Sequence, residues 1–293
     1  MPLRRLPLLT LLVVAALVAA APAQASGFTV STTADAPDAN TADGVCKTAA
    51  NTCTLRAAVQ QANALAGADS VTVPAGTYVL ASGVTVTNSV TIAGAGARDT
   101  IIDGPDGTEA VKLTGGSSTI RGLTIANSAV GVIVQNAEAL LDRVWIRDNS
   151  PGYSGGQGTG LSIIGATADV ELRRSSVTGN RQLADASIAY GAGIAVENGA
   201  RLTAVASTIA DNAVGGATAA TRANTAIGGG LAVSLGSATL RHVTLAGNSV
   251  AADSSAQYGG NVYVFNGANN AITYSDTLIA GGTAGGACRS SQA

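Results

Sequence analysis

The 293-residue chain carries 16 Lys and Arg against 18 Asp and Glu, a net charge of −2. So weak and acidic a balance excludes nucleic acid and anionic membrane as electrostatic partners. Aromatic residues make up only 3% while Gly numbers 37, which excludes one thick core of large side chains and fits a narrow core closed by many turns.

Residues 1–25 read as a secretory signal peptide. Arg4 and Arg5 give a basic start, 6–20 is almost wholly apolar, and Ala23-Gln24-Ala25 is a cleavage signal before Ser26. The apolar run is too short to span a bilayer comfortably, and no second long apolar run follows. The expectation is a secreted or cell-surface protein with no transmembrane segment in the mature chain. Loss of Arg4 and Arg5 leaves it a net charge of −4. In an exported chain, the close-spaced Cys46 and Cys53 are expected to form a disulfide. That loop is short, so the bond is expected to pin a local turn and add little global stability. Cys288 is left over, to be free, to pair between chains, or to lack its partner in this sequence.

Residues 26–70 are expected to form an N-terminal cap. A polar stretch with Asp35, Asp38 and Asp43 leads to Cys53-Thr54-Leu55-Arg56-Ala57-Ala58-Val59-Gln60-Gln61-Ala62-Asn63. Leu55, Val59, Ala62 and Leu65 fall on one helical face, Thr54 is placed to cap the start and Gly67 to end it. The helix would cover the open end of a solenoid, as a terminal cap must. The three aspartates do not have EF-hand spacing and are read as a polar exported N-terminus, not a Ca²⁺ site.

That run resembles the CSLREA-type motif, C-S-L-R-E-A-I-x-x-A-N, of exported bacterial proteins built as right-handed parallel β-helices. It departs at Thr54 for Ser, Ala57 for Glu and Val59 for Ile. The Ala57 departure removes a family carboxylate, so that position is given no role. The Gly-Gly and Gly-Asn units further along resemble polymorphic outer-membrane-protein repeats and the wider pectin-lyase-like group.

Residues 71–293 read as the β-helix itself, making the fold class all-β: a single-domain right-handed parallel β-helix, a solenoid with an N-terminal capping helix. Short strands begin at Val71, Tyr78, Val84, Val90 and Ile101, with turns at Pro74-Ala75-Gly76 and Gly94-Ala95-Gly96. Later units align when anchored at Ser128, Asn149, Asn180, Asn212, Asn248 and Gly281, the basal coil taking 21 residues from Ser128 to Asn149. Three residues before each anchor stand Ile125, Ile146, Val177, Ile209, Leu245 and Leu278. Eight before stand Ile120, Leu141, Leu172, Ala204, Leu240 and Thr273. Both columns are expected to point inward and stack at about 4.8 Å per coil. The anchor asparagines are read as structural, through left-handed turns and hydrogen-bonded ladders, and the glycines opening each first strand as turn residues. Extra length falls at one corner, within 150–159, 181–192, 213–229 and 249–260, and these insertions are expected to stand side by side as a wall.

The same register puts Gly122, Arg143, Arg174, Ala206, His242 and Ser275 six before the anchors and pointing outward. Thr124, Trp145, Ser176, Thr208, Thr244 and Thr277 stand four before. The interrupted Thr column there reads as strand propensity. Ala126, Arg147, Thr178, Ala210, Ala246 and Ile279 stand two before. Arg143, Trp145, Arg147 and Arg174 would therefore share one surface as candidate ligand-binding residues. An aromatic plate with cationic neighbours stacks on sugars and holds carboxylates bidentately. The plain alternative is a solvated strand face. No catalytic residue is assigned, since Asp142, Asp148, Asp169, Glu171 and Asp211 form no dense cluster, and the lone His242 builds neither a triad nor a metal site. Nothing in the sequence requires a cofactor or a metal.

The expected function is a non-catalytic surface or extracellular role, with stacked corner loops presented for adhesion or carbohydrate binding and a polysaccharide or cell-surface ligand as partner. The alternative is a polysaccharide lyase or glycoside hydrolase acting on the face around Arg143, Trp145, Arg147 and Arg174. A third reading makes the chain part of a longer anchored protein, because 276–288 resembles a late coil of the same family.

Overall fold

The computed structural model describes residues 24–150, 159–182, 188–215, 225–250, 256–265, 267, 270–282 and 286–290. Most of the expected signal peptide, and the tips of the four corner insertions, lie outside the described residues. The described chain winds into a right-handed parallel β-helix of three long sheets. Sheet A has nine strands, from Gly27–Thr29 to Ala271–Ser275. Sheet B has eight, from Gly76–Val79 to Leu278–Ala280, and sheet C eight, from Val84–Val86 to Cys288–Ser290.

One coil shows why the sequence winds this way. Val130–Gln135 belongs to sheet C, Glu138–Asp142 to sheet A and Trp145–Arg147 to sheet B. Val132, Val134, Ala139, Leu141, Val144 and Ile146 point inward and are buried. Between the strands stand Asn136, Arg143 and Asp148, with φ of 52°, 53° and 55°. A single left-handed residue redirects the chain at each corner, so a coil closes with little loop. Each inward Leu, Ile or Val then stacks on its counterpart in the next coil, contributing about 1.5–3 kcal/mol by burial.

The structure corrects the sequence register at three places. First, each expected second strand is two strands, parted by a left-handed residue. Gly122, Arg143, Arg174, Ala206 and His242 (φ 47–64°) occupy that corner, not an outward strand position. Behind it sit buried residues the alternation did not mark, Leu123, Val144 and Val243, with Ser175 and Ser207 in the same column. Second, Thr124 and Ala126 are buried, not outward, and the Thr124 hydroxyl donates to the Ala97 carbonyl. Third, the last coil is offset by one. Leu245 pairs with Ile279 and Leu240 with Tyr274. Leu278 and Tyr274 are exposed, and the expected inward places of Leu278 and Thr273 pass to Ile279 and to neither. Asp276, not Ser275, takes the left-handed corner (φ 49°).

The anchor asparagines form a continuous buried ladder, but they are not the left-handed residues. Asp148, Gly179, Asp211 and Gly247, one place earlier, carry the positive φ. Asn149 Nδ2 donates to Asn180 Oδ1 (2.8 Å), Asn180 to Asn212 (2.9 Å), Asn212 to Asn248 (2.9 Å) and Asn248 to Asn261 (2.8 Å). Ser128 Oγ starts the row by donating to Asn149 Oδ1 (2.7 Å). The last coil has Gly281 and Gly282 where an asparagine would continue, so Asn261 enters from the opposite side and donates to the Ala280 carbonyl (2.9 Å). This ladder also explains a glycine column. A Cβ on Gly160 or Gly193 would stand 2.9 Å from the Asn180 or Asn212 amide nitrogen and 2.4 Å from the next coil's carbonyl. These two glycines therefore serve close approach and not turn geometry.

At the N-terminal end, the helix Leu55–Ala64 starts at Thr54, whose Oγ1 accepts from Ala57 N (3.0 Å). Leu55, Ala58, Val59 and Ala62 are buried against the first coils. Arg56 fastens this cap. Its guanidinium meets both Asp35 oxygens at 2.8 Å and donates to the Gly83 carbonyl at 3.0 Å and the Ser82 carbonyl at 2.5 Å. Cys46 and Cys53 are joined by a disulfide beside it. Asp38 accepts from the amides of Asn40 and Lys47, and Asp43 from Val45, so the three aspartates are spent on local backbone and on Arg56.

Three of the corner insertions stand side by side at their roots. Arg181–Gln182, Ala213–Val214 and Ser249–Val250 pair in parallel, as do Ile188–Tyr190, Thr225–Ile227 and Ala256–Tyr258. Between these two small sheets Ala189, Ala192, Val214, Ala226 and Val250 form a core of their own. Gly191, Gly228 and Gly259, with φ of 57–66°, turn each loop back into sheet C.

Candidate functional site

The groove of greatest chemical interest lies at the corner between sheets A and B. It has a volume of about 360 Å³ and is lined by Ala97, Arg98, Arg143, Val144, Trp145, Arg174 and Ser176. Its position follows from the loop after Val90–Gly94. That loop covers Thr124 through the hydroxyl bond to Ala97, so the coil of Trp145 is the first one beside it left open. Arg98 stands on the loop side, and Arg143 and Arg174 stand on the corner side one coil apart.

Asp142 fixes these two arginines. Its carboxyl is buried, with side-chain exposure of 8%, whereas both arginine side chains are 60% exposed. Oδ2 accepts from Arg143 Nε (3.1 Å), and Oδ1 accepts from Arg174 Nε (2.9 Å) and Arg174 Nη2 (2.5 Å). The anchored edge of each guanidinium faces Asp142, and donors remain on the outer edge of both. A carboxylate, sulfate or phosphate held there would meet charge-assisted donors already in place. The local charge is three cations against one carboxylate.

Trp145 is 37% exposed. Its Nε1 donates to Thr178 Oγ1 (2.7 Å), which ties the ring edge to the next coil. The Arg147 guanidinium carbon lies 5.0 Å from the ring centroid, and Arg147 Nη1 is 2.5 Å from Asp148 Oδ2. Arg147 therefore braces the indole and does not line the groove. Of the four residues grouped from the sequence, Arg143, Trp145 and Arg174 surround one groove and Arg147 supports Trp145 from beside it. Arg98 was missed. Its one signal was a cation two residues after Gly94-Ala95-Gly96, a stretch read only as a turn.

His242 and Asp276 face each other at 3.6 Å in exposed corner positions two coils or more from the groove. Among the described residues no three His, Cys, Asp or Glu side chains come together as a metal site, and no helix is long and apolar enough to cross a membrane.

No protein-family model and no curated protein matches the chain. Among solved structures, carrot pectin methylesterase aligns with a TM-score of 0.37 and 12% identity, over 78% of this chain and 80% of that one. The A-module of the Azotobacter vinelandii mannuronan C-5 epimerase AlgE4 aligns with a TM-score of 0.40 and 16% identity, over 75% and 71%. No residue role passes from either protein to this chain.

Proposed function

We propose that the protein is an exported, CSLREA-type β-helix that binds acidic carbohydrate in the groove of Arg98, Arg143, Trp145 and Arg174, without catalysis. The observation that carries this reading is the sharing of one buried carboxylate, Asp142, by two exposed arginines beside the chain's single Trp. Ion pairs held rigid before binding lose little side-chain entropy on meeting an anion. An indole face next to them stacks on the apolar face of a sugar ring. The non-catalytic half of the proposal rests on the same carboxylate. Asp142 has both oxygens engaged by guanidinium groups, and glycoside hydrolysis takes two carboxylates about 5–9.5 Å apart. The stacked corner loops are the second surface offered to a cell-surface partner. Export is proposed through residues 1–25, and a mature N-terminus at Ser26, read by intact mass, checks it.

The test is a screen of purified protein against acidic and neutral polysaccharides, with and without Ca²⁺. Retention of acidic polymers, lost in Arg143→Ala and Trp145→Ala without new reducing ends or unsaturated products, is the expected result. Products formed by the wild type and lost in Arg143→Ala would make the chain a lyase or hydrolase and overturn the binding role. Absence of any retention would remove the carbohydrate reading.

A further inference from the structure

On the outward face of sheet C a carboxyl that bridges the loop wall and the β-helix body is buried with no ionic partner among the described residues. Glu197 ends the strand Ile194–Glu197 and is 4% exposed. Tyr190 Oη lies 2.8 Å from its Oε2, whereas its Oε1 is buried with no hydrogen-bond partner. Tyr190 ends Ile188–Tyr190, a root strand of the loop wall. The contact thus runs from the wall to the β-helix body.

The surroundings are apolar. Glu197 pairs in register with Ile164 on one side and Ser234 on the other, and Ser234 precedes Phe265 in the same row. Phe265 meets the Tyr190 ring edge-on at 5.7 Å and the Tyr263 ring at 4.9 Å, and Tyr263 meets Tyr258 at 5.8 Å. Among the described residues, the titratable groups facing Glu197 are therefore Tyr190 from the wall, with Tyr263 and Tyr258 beyond it. The strands Leu161–Ile164 and Leu231–Ser234 bring none. Arg201, in the next turn, pairs with Asp169 instead. With no cation described beside it, the ionised form of Glu197 would keep one oxygen stripped of water and unpaired.

We propose that Tyr190 and Glu197 form a pH-operated latch, which seats the loop wall on sheet C while the carboxyl is protonated and loosens it once the carboxyl ionises. The pairing passes along the wall, because Ile188–Tyr190 is hydrogen-bonded to Thr225–Ile227 and that strand to Ala256–Tyr258. One carboxyl thereby governs three stacked loops. Burial, only partly opposed by the Tyr190 hydroxyl, pushes the Glu197 carboxyl above its usual range. The sign follows. A raised acid binds more protons when the wall is seated than when it is open, so seating is firm below the ordinary Glu value and weakens as pH climbs to the raised one.

The test is hydrogen exchange of the intact protein across pH 4–8, read as protection factors so that intrinsic exchange is divided out. Amides of 188–190 and 225–227 should lose protection with rising pH, by up to about tenfold per unit within the transition. Amides of Asp169–Arg173, in sheet A, should not. Glu197→Gln, neutral throughout, should hold wall protection level with pH. A flat wild-type profile, or a Glu197→Gln protein that keeps the wild-type slope, overturns the latch. Should Glu197→Gln fail to fold, Tyr190→Phe serves: reduced wall protection at pH 4 and a shallower slope are expected, and an unchanged profile overturns it. No carbohydrate enters this experiment, so its outcome is independent of the groove.

Discussion

Replacing Asn212 by Ala removes the middle rung of the buried ladder. Its Nδ2 donates to the Val177 carbonyl (2.9 Å) and to Asn248 Oδ1 (2.9 Å), and its Oδ1 accepts from Asn180 Nδ2 (2.9 Å) and Asn180 N (3.0 Å). After the change Asn180 Nδ2 still reaches the Ile146 carbonyl and Asn248 Oδ1 still accepts from Asn212 N, but the Asn180 amide loses its partner in a buried site. Three lost bonds at about 1 kcal/mol each, with about 1–3 kcal/mol for the orphaned amide, give a loss of about 4–6 kcal/mol. Urea unfolding reads it with two probes, far-UV circular dichroism over the whole stack and fluorescence of Trp145, two coils away. Solenoid stability is a sum of nearest-neighbour terms, so the coils around position 212 should melt before the signal at Trp145 changes. Arg201→Ala, which breaks only the surface pair with Asp169, is the control and should cost less than about 1 kcal/mol. An Asn212→Ala loss no larger than the control, or coincident and unshifted transitions, would refute the claim that the ladder holds the corner together.

Two other substitutions probe how the coils are fastened. Gly193→Ala places a Cβ 2.4 Å from the Gly230 carbonyl and 2.9 Å from Asn212 Nδ2, so it should destabilise by about 1–3 kcal/mol, measured by the same urea melts. Arg56→Lys keeps the charge but cannot reproduce the two-pronged contact with Asp35 together with the carbonyl bonds to Ser82 and Gly83. Loss of about 2–4 kcal/mol is expected, seen first as proteolysis of the N-terminal cap, and wild-type resistance would contradict it.

Much of the fold was legible because a solenoid repeats its physics. An asparagine recurring after an apolar pair fixed the register from Asn149 to Asn248, and those side chains do stack. Where the marker vanished, so did the accuracy. Gly281 took the anchor position in the alignment, and since Leu278 and Ile279 are both apolar, nothing local opposed a slip of one residue. The corner at Arg143 was hidden for a different reason: a left-handed residue in the middle of an alternating run costs no composition signal, and Arg and His there look like strand residues. The groove was half visible. Arg143 and Arg174 share a repeat position and Trp145 stands two residues after the first of them, but Arg98 reaches the site on a loop from an earlier coil, outside any period. Glu197 and Tyr190 gave no warning either, because the outer face of sheet C becomes buried only when an insertion folds back over it.

The most direct measurement of the central claim is a fluorescence titration of Trp145, the single indole, with oligogalacturonate and with a neutral oligosaccharide of equal length. A saturable change with the acidic sugar alone, weakened by salt and abolished in the Arg143→Ala/Arg174→Ala double variant, is the result expected of the groove. An equal response to the neutral sugar, or an unaltered response in the double variant, would contradict it.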